Sequence, residues 1–139
     1  MNIDEKACEE IIAAARAEAV KHGAHVSIAV VDDGGNLKAF VRMDGAEIAG
    51  PVLAVDKAYT SVSNRISTQE LSTLAAPGGP LYGIHANGGG RFVIFAGGVP
   101  ITVNGEVVGA VGVSGGSVEE DHASATAGVV VAERILAAS

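Results

Sequence analysis

The side chains able to do chemistry in this sequence are few, and most lie beside glycine-rich turns. Lys57 sits among Val55, Ala58 and Tyr59. There it can anchor a carboxylate, or act as an acid–base group if burial depresses its pKa. Asp56 is no partner for it, because adjacent residues diverge on a helix. Asp121 and His122 open the last apolar segment, and carboxylate and imidazole are common general acid–base groups. They point about 100° apart on a helix, so they would meet one site from different sides. Arg42 closes an alternating segment and is a second candidate anion anchor. His85 lies in a glycine-rich loop, where an imidazole can ligate iron or move protons. The plainer alternatives are a snorkelling surface lysine and histidines that merely hydrogen-bond water.

Other chemistries are excluded by spacing. No H-x-x-x-H or C-x-x-C pattern supports a zinc site. Ser114 has no histidine or aspartate at a triad spacing. Cys8, the single cysteine, falls on the apolar face of the first helix and reads as inert. His22 reads as a structural residue at a helix end, and His25 is ambiguous.

Two glycine tracts complete the candidate set. Val113-Ser114-Gly115-Gly116-Ser117 ends a strand and opens a helix, so its amides could form an anion nest. It carries no Walker lysine, and Glu119, Glu120 and Asp121 would repel an anion while complementing the helix dipole. A capped tight turn is the simpler reading. Gly97-Gly98-Val99-Pro100 is the second tract, a constrained turn into a strand. The two tracts bracket the last hairpin and leave backbone amides for a ligand.

The elements that must position these groups follow from periodicity. Cys8, Ile11, Ile12, Ala15 and Ala19 share one helix face, with Asp4 or Asn2 as cap and Gly23 as stop. Val26 to Val31 reads as a buried strand. Asp33-Gly34-Gly35-Asn36 turns it into a second strand, Leu37 to Met43. Pro51 starts a helix whose apolar stripe is Val52, Val55, Tyr59 and Val62, ending near Asn64. Ser67 and Glu70 have capping-box spacing for a short third helix. Residues 77–90 form a loop too long for a mere connector. Phe92 to Phe95 and Ile101 to Val103 read as strands, and Asn104-Gly105 is a hairpin turn. Val107 to Val113 is the last strand, where Gly109 and Gly112 mark close backbone approach. Ser117 and Glu120 cap the terminal helix. The order predicts a five-stranded antiparallel sheet flanked by helices, an α+β sandwich.

At 139 residues the chain is expected to be one domain, 1–139. Its 48% hydrophobic and 18% charged residues exclude disorder. Nine basic against sixteen acidic residues give a net charge of −7, which sets nucleic acid and anionic membranes aside. No apolar run approaches a membrane span, and the acidic N-terminus is unlike a signal peptide. A cytoplasmic location is therefore expected. Valine, alanine and glycine faces this extensive predict a homo-oligomer. With 19 glycines, no tryptophan and aromatics at 4%, a large aromatic pocket is not expected.

Taken together, Val30-Val31-Asp32-Asp33-Gly34-Gly35, Arg42-Met43-Asp44-Gly45, Ala54-Val55-Asp56-Lys57-Ala58, Gly97-Gly98-Val99-Pro100 and the run Gly105 to Gly116 followed by Asp121 resemble the GlcG/HbpS family. The resemblance runs from about Ile3 to the C-terminus. It implies a profilin-like α/β fold with a central antiparallel sheet, and a homo-oligomer. Some members of that family bind haem or take part in its degradation, among them a secreted sensor and the C-terminal domain of some cobalamin adenosyltransferases. Others belong to small-organic-acid pathways. Lys57, Gly98, Pro100, Gly115, Gly116 and Asp121 stand on recurrent motif positions, which implies a ligand pocket among them. His122 departs from the acidic or polar residue expected there. Two functions follow. The first is a small-ligand module for haem or a related tetrapyrrole, its ligand held by Arg42, His85, Gly97, Gly98, Pro100, Gly115 and Gly116. The second is a lyase, isomerase or hydratase acting on a small acid or carbonyl compound through Lys57, Asp121 and His122.

Overall fold

A computed structural model describes residues 2–138. Helix α1 (Glu5–Lys21) starts where the Asp4 carboxylate accepts the Ala7 amide at 2.8 Å. It buries Ala7, Cys8, Ile11, Ala15 and Ala19 and stops at Gly23, φ +69°. Strand β1 (Ser27–Asp32) follows. The Asp32 carboxylate accepts the amides of Gly34 and Asn36 at 3.0 and 2.9 Å, folding the turn into β2 (Leu37–Arg42). Then come α2 (Gly50–Asn64) and α3 (Thr68–Leu74), the latter capped by Ser67. Residues 77–90 hold two short 3-10 turns, Ile84–Ala86 and Gly88–Gly90. Strands β3 (Gly98–Val103) and β4 (Glu106–Ser114) form the second hairpin. Asn104 and Gly105 both take positive φ there, as a tight hairpin turn requires. Helix α4 (Val118–Ala137) begins with a complete Ser117–Glu120 capping box. No helix among the described residues is long and apolar enough to cross a membrane.

The sheet has four strands in the order β2-β1-β4-β3, all antiparallel. The fifth strand expected over Phe92–Phe95 is absent, because side chains take its backbone groups. The Val93 amide donates to Thr60 Oγ1 at 2.9 Å, and Thr60 lies 3.2 Å from the Arg91 carbonyl. Arg91 pairs with Asp56 at 2.9 Å and lies 3.7 Å from the Tyr59 ring centroid. The segment is thus pinned along α2 rather than hydrogen-bonded to a strand.

Helices α1 and α4 pack together over one face of the sheet, on Ile28, Val30, Val111 and Val113. Helix α2 covers the other face, on Val31 and Ala110. Its buried side differs from the expected stripe: it buries Ala54, Lys57, Ala58, Ser61 and Val62, while Val52 is 67% exposed. Gly112 is the reason. A Cβ there would run into the Ala54 carbonyl and lie 2.7 Å from the Ala58 amide nitrogen, so the helix rests directly on the β4 backbone and only small side chains fit between.

The outer edge of β3 is closed. The Gly98 amide donates to Thr68 Oγ1 at 2.9 Å and the Thr102 amide to Glu133 Oε2 at 2.8 Å. Pro100, between them, has no N–H to offer. Strand edges left open invite pairing with other chains, and this one offers no free donor at these three positions.

Candidate functional site

Chain geometry brings several of the candidate residues to one end of the sheet. Ser114 ends β4 and pairs with Ser27 of β1, which pairs with Arg42 of β2. Helix α4 starts four residues beyond Ser114. The first turn of α2 lies close by, since a Cβ on Gly50 would stand 2.9 Å from Ser27 Oγ.

Beneath this end lies Lys57, 1% exposed. Its ammonium donates to the Val113 carbonyl at 2.9 Å and to Asp121 Oδ2 at 3.2 Å, and it lies 5.0 Å from the Phe95 ring centroid. Asp121, 3% exposed, accepts the Gly116 amide on its other oxygen at 2.8 Å. Gly97 must be glycine here: its φ is +133°, and a Cβ would come within 2.7 Å of the Lys57 nitrogen. A Cβ on Gly98 would strike the Lys57 backbone, and one on Gly115 would lie 2.5 Å from the His25 carbonyl oxygen. Burial pushes the Lys57 amine below the ordinary lysine range, and the Asp121 charge only partly offsets this. Burial likewise pushes the Asp121 carboxyl up, against the pull of Lys57 and the Gly116 amide. Both shifts oppose charge, as expected of an ion pair removed from water.

Asp121 and His122 diverge as the helical spacing predicts. His122 turns away from the lysine into a groove of about 480 Å³. The groove lies between α4, the segment joining α2 to α3, and the start of β3. Ile66, Val99, Pro100 and Val129 give it apolar surface, and Ser67, Gln69, Glu70, Thr126, Glu133 and Arg65 complete the lining. His122 Nδ1 is buried and makes no hydrogen bond within the described residues.

The ten predicted residues therefore divide. Lys57, Asp121, Gly97 and Gly98 form one buried cluster with the half-buried Gly115 and Gly116 at its edge, whereas His122 and Pro100 line the groove. Arg42, at the same sheet end, spends its guanidinium on the Ala46 carbonyl at 3.2 and 3.0 Å. His85 stands apart on the 3-10 turn, edge-on to Tyr82 at 6.3 Å. Sequence reasoning missed Phe95 over Lys57, Thr60 and Thr68 as side-chain partners of backbone amides, and Arg65 in the groove. Only Arg65 carries a sequence signal: it follows the expected helix end at Asn64, where glycine is usual. Among the described residues, no three His, Cys, Asp or Glu side chains gather as a metal site.

An α+β layer with a four-stranded antiparallel sheet, a buried Lys–Asp pair and an imidazole-bearing groove defines the class. The chain belongs to the family described as haem-degrading protein HbpS-like, whose pattern matches residues 3–130. It is 41% identical over 116 residues to an uncharacterized 15.0 kDa protein of the dhaT-dhaS intergenic region of Citrobacter freundii, covering 84% of this chain and 82% of that one. It is 36% identical over 118 residues to protein GlcG of Escherichia coli K12, covering 81% of each. Among solved structures, a PduOC–haem complex superposes with a TM-score of 0.89 at 31% identity, covering 94% of this chain and 95% of that one.

Proposed function

We propose that this chain is a one-domain small-ligand-binding protein whose groove takes haem or a related tetrapyrrole. The observation that carries the reading is His122: an imidazole on the wall of a partly apolar groove, with a buried ring nitrogen that no described residue hydrogen-bonds. Buried polar atoms are normally hydrogen-bonded; with no such bond to a described residue the ring is not tied down by the protein and can turn a nitrogen toward a ligand in the groove. The donor set fits haem: Ile66, Val99, Pro100 and Val129 offer apolar surface to a flat macrocycle, and His122 is the only imidazole on the wall. The volume lies within the roughly 300–1,000 Å³ usual for small-molecule sites. Bound there, haem would supply iron redox and ligand chemistry. Membership of an HbpS-like family and likeness to a haem-bound PduOC domain support the same ligand. In this reading the Lys57–Asp121 pair fixes the start of α4 and so aims His122.

Haem titration tests it. The wild-type protein is expected to give a saturable Soret shift. His122→Ala is expected to abolish that shift while leaving the melting temperature within a few degrees, because a half-buried rim residue carries little packing. An unaltered spectrum in His122→Ala would overturn the assignment, and His85 would be the next imidazole to vary.

A second reading has one observation in its favour. Lys57 and Asp121 have pKa values displaced toward each other, a feature of acid–base sites, and Phe95, itself 41% exposed, lies over the amine. This supports acid–base catalysis on a small organic acid or carbonyl compound. Turnover of such a compound that Asp121→Asn removes, in a protein still folded by circular dichroism, would establish it.

A further inference from the structure

Arg65 sits at the C-terminal cap of α2 with φ 60° and ψ 31°, the left-handed region that favours glycine at this position. Nothing in the fold visibly rewards an arginine there. Its guanidinium makes no hydrogen bond or ion pair with any described residue, although Glu70 and Glu133 line the same groove. Glu133 is already engaged, accepting the Thr102 amide at 2.8 Å. Arg65 also lines a neighbouring groove of about 460 Å³ with Thr102, Gly105 and Glu106, so it stands between the two depressions. It is the only lysine or arginine on the wall of the His122 groove.

That arrangement is polarised. Two carboxylates repel an anionic group from the rest of the wall, and one unspent guanidinium offers paired donors suited to a carboxylate. Apolar surface from Val99, Pro100 and Val129 lies beside them. A ligand with an apolar body and a carboxylate arm meets all of these demands at once. A neutral or cationic ligand leaves Arg65 unused.

We propose that Arg65 is the specificity-determining anchor of the groove, holding the carboxylate of an amphipathic acid whose body lies against His122. This rests on the groove being the binding site. For haem, the carboxylates concerned are its propionates. The left-handed backbone at Arg65 costs stability that glycine would not, and the guanidinium in the groove is what the residue offers in return.

Equilibrium titration of wild type, R65Q and R65G with haem and with haem dimethyl ester tests the proposal. R65Q keeps the side-chain bulk and loses the charge. R65G also relieves the backbone and is expected to hold or raise the melting temperature. Both variants are expected to bind haem about two- to fivefold more weakly than wild type, the scale of one exposed charge pair, with the Soret position unchanged. The ester is expected to bind wild type and R65Q alike. Added salt is expected to weaken haem binding to wild type and not to R65Q. Equal haem affinity in wild type and R65Q overturns the proposal, and so does an equal loss with the ester, which would assign Arg65 to groove shape. Absence of haem binding by the wild type overturns the binding reading itself.

Discussion

Lys57 and Asp121 bring a full ion pair out of water at 1% and 3% exposure, and the consequences differ for one partner and for both. Lys57→Met leaves a buried carboxylate with the backbone amides of Gly116 and Gly115 but no counter-charge beside it. It is expected to cost about 3–5 kcal/mol, read by urea denaturation. Lys57→Met combined with Asp121→Leu removes both desolvation penalties and is expected to recover most of that loss. A double variant as unstable as the single one would show that the pair contributes more than its charges. The pH dependence follows from the shifts. Asp121 is raised, so between the unfolded carboxylate value and its own folded value the native state holds the extra proton, and native stability falls as pH rises through that window. Lys57 is lowered, so the unfolded state holds the extra proton between the folded lysine value and about 10.5, and stability rises with pH there. The double variant is therefore expected to gain most on wild type near neutrality and least at both extremes.

At the scale of elements, the contact between α2 and β4 governs the site, because it sets the depth of Lys57. Gly112→Ala is expected to destabilise the fold by about 1–3 kcal/mol or more, the range for overpacking, as its methyl meets the Ala54 carbonyl and Ala58 amide. Thermal unfolding measures this, and an unchanged melting temperature would refute so close a contact. The same contact separates what the sequence revealed from what it hid. Gly109 and Gly112 in a strand pattern announced close approach, and Ser117 with Glu120 announced the cap of α4. The helix face was not legible. Of the apolar stripe Val52, Val55, Tyr59 and Val62 only Val62 is buried, and a helix lying on bare backbone buries Ala54, Ala58 and Ser61 beside it. Phe92–Phe95 differs for a related reason, since its composition is that of a strand while its Val93 amide donates to Thr60, 33 residues away in the sequence. The place of Asp121 in the first turn of α4 follows from the capping-box spacing, but its pairing with Lys57, 64 residues distant, needed the fold.

At the scale of the whole molecule, the two sides of α2 have unequal coverage. Val52 is 67% exposed and Ile48, four residues earlier, is 90% exposed. Phe40, on the sheet face that α2 covers only partly, is 37% exposed. Large apolar side chains gathered beside an element that leaves them unburied mark an interaction surface more often than an idle one. A second copy, presenting the same apolar side chains across a two-fold axis, is the simplest cover. We propose on this ground that the protein is a homo-oligomer joined through the start of α2. Light scattering at micromolar concentration is expected to give a mass at least twice 13.8 kDa. Val52→Glu is expected to lower that mass toward the monomer, because a symmetric contact would oppose two buried carboxylates. As Val52 packs little within its own chain, the variant's circular dichroism should match wild type. A wild-type mass of 13.8 kDa would refute the assembly, and an oligomer indifferent to Val52→Glu would move the interface to another face.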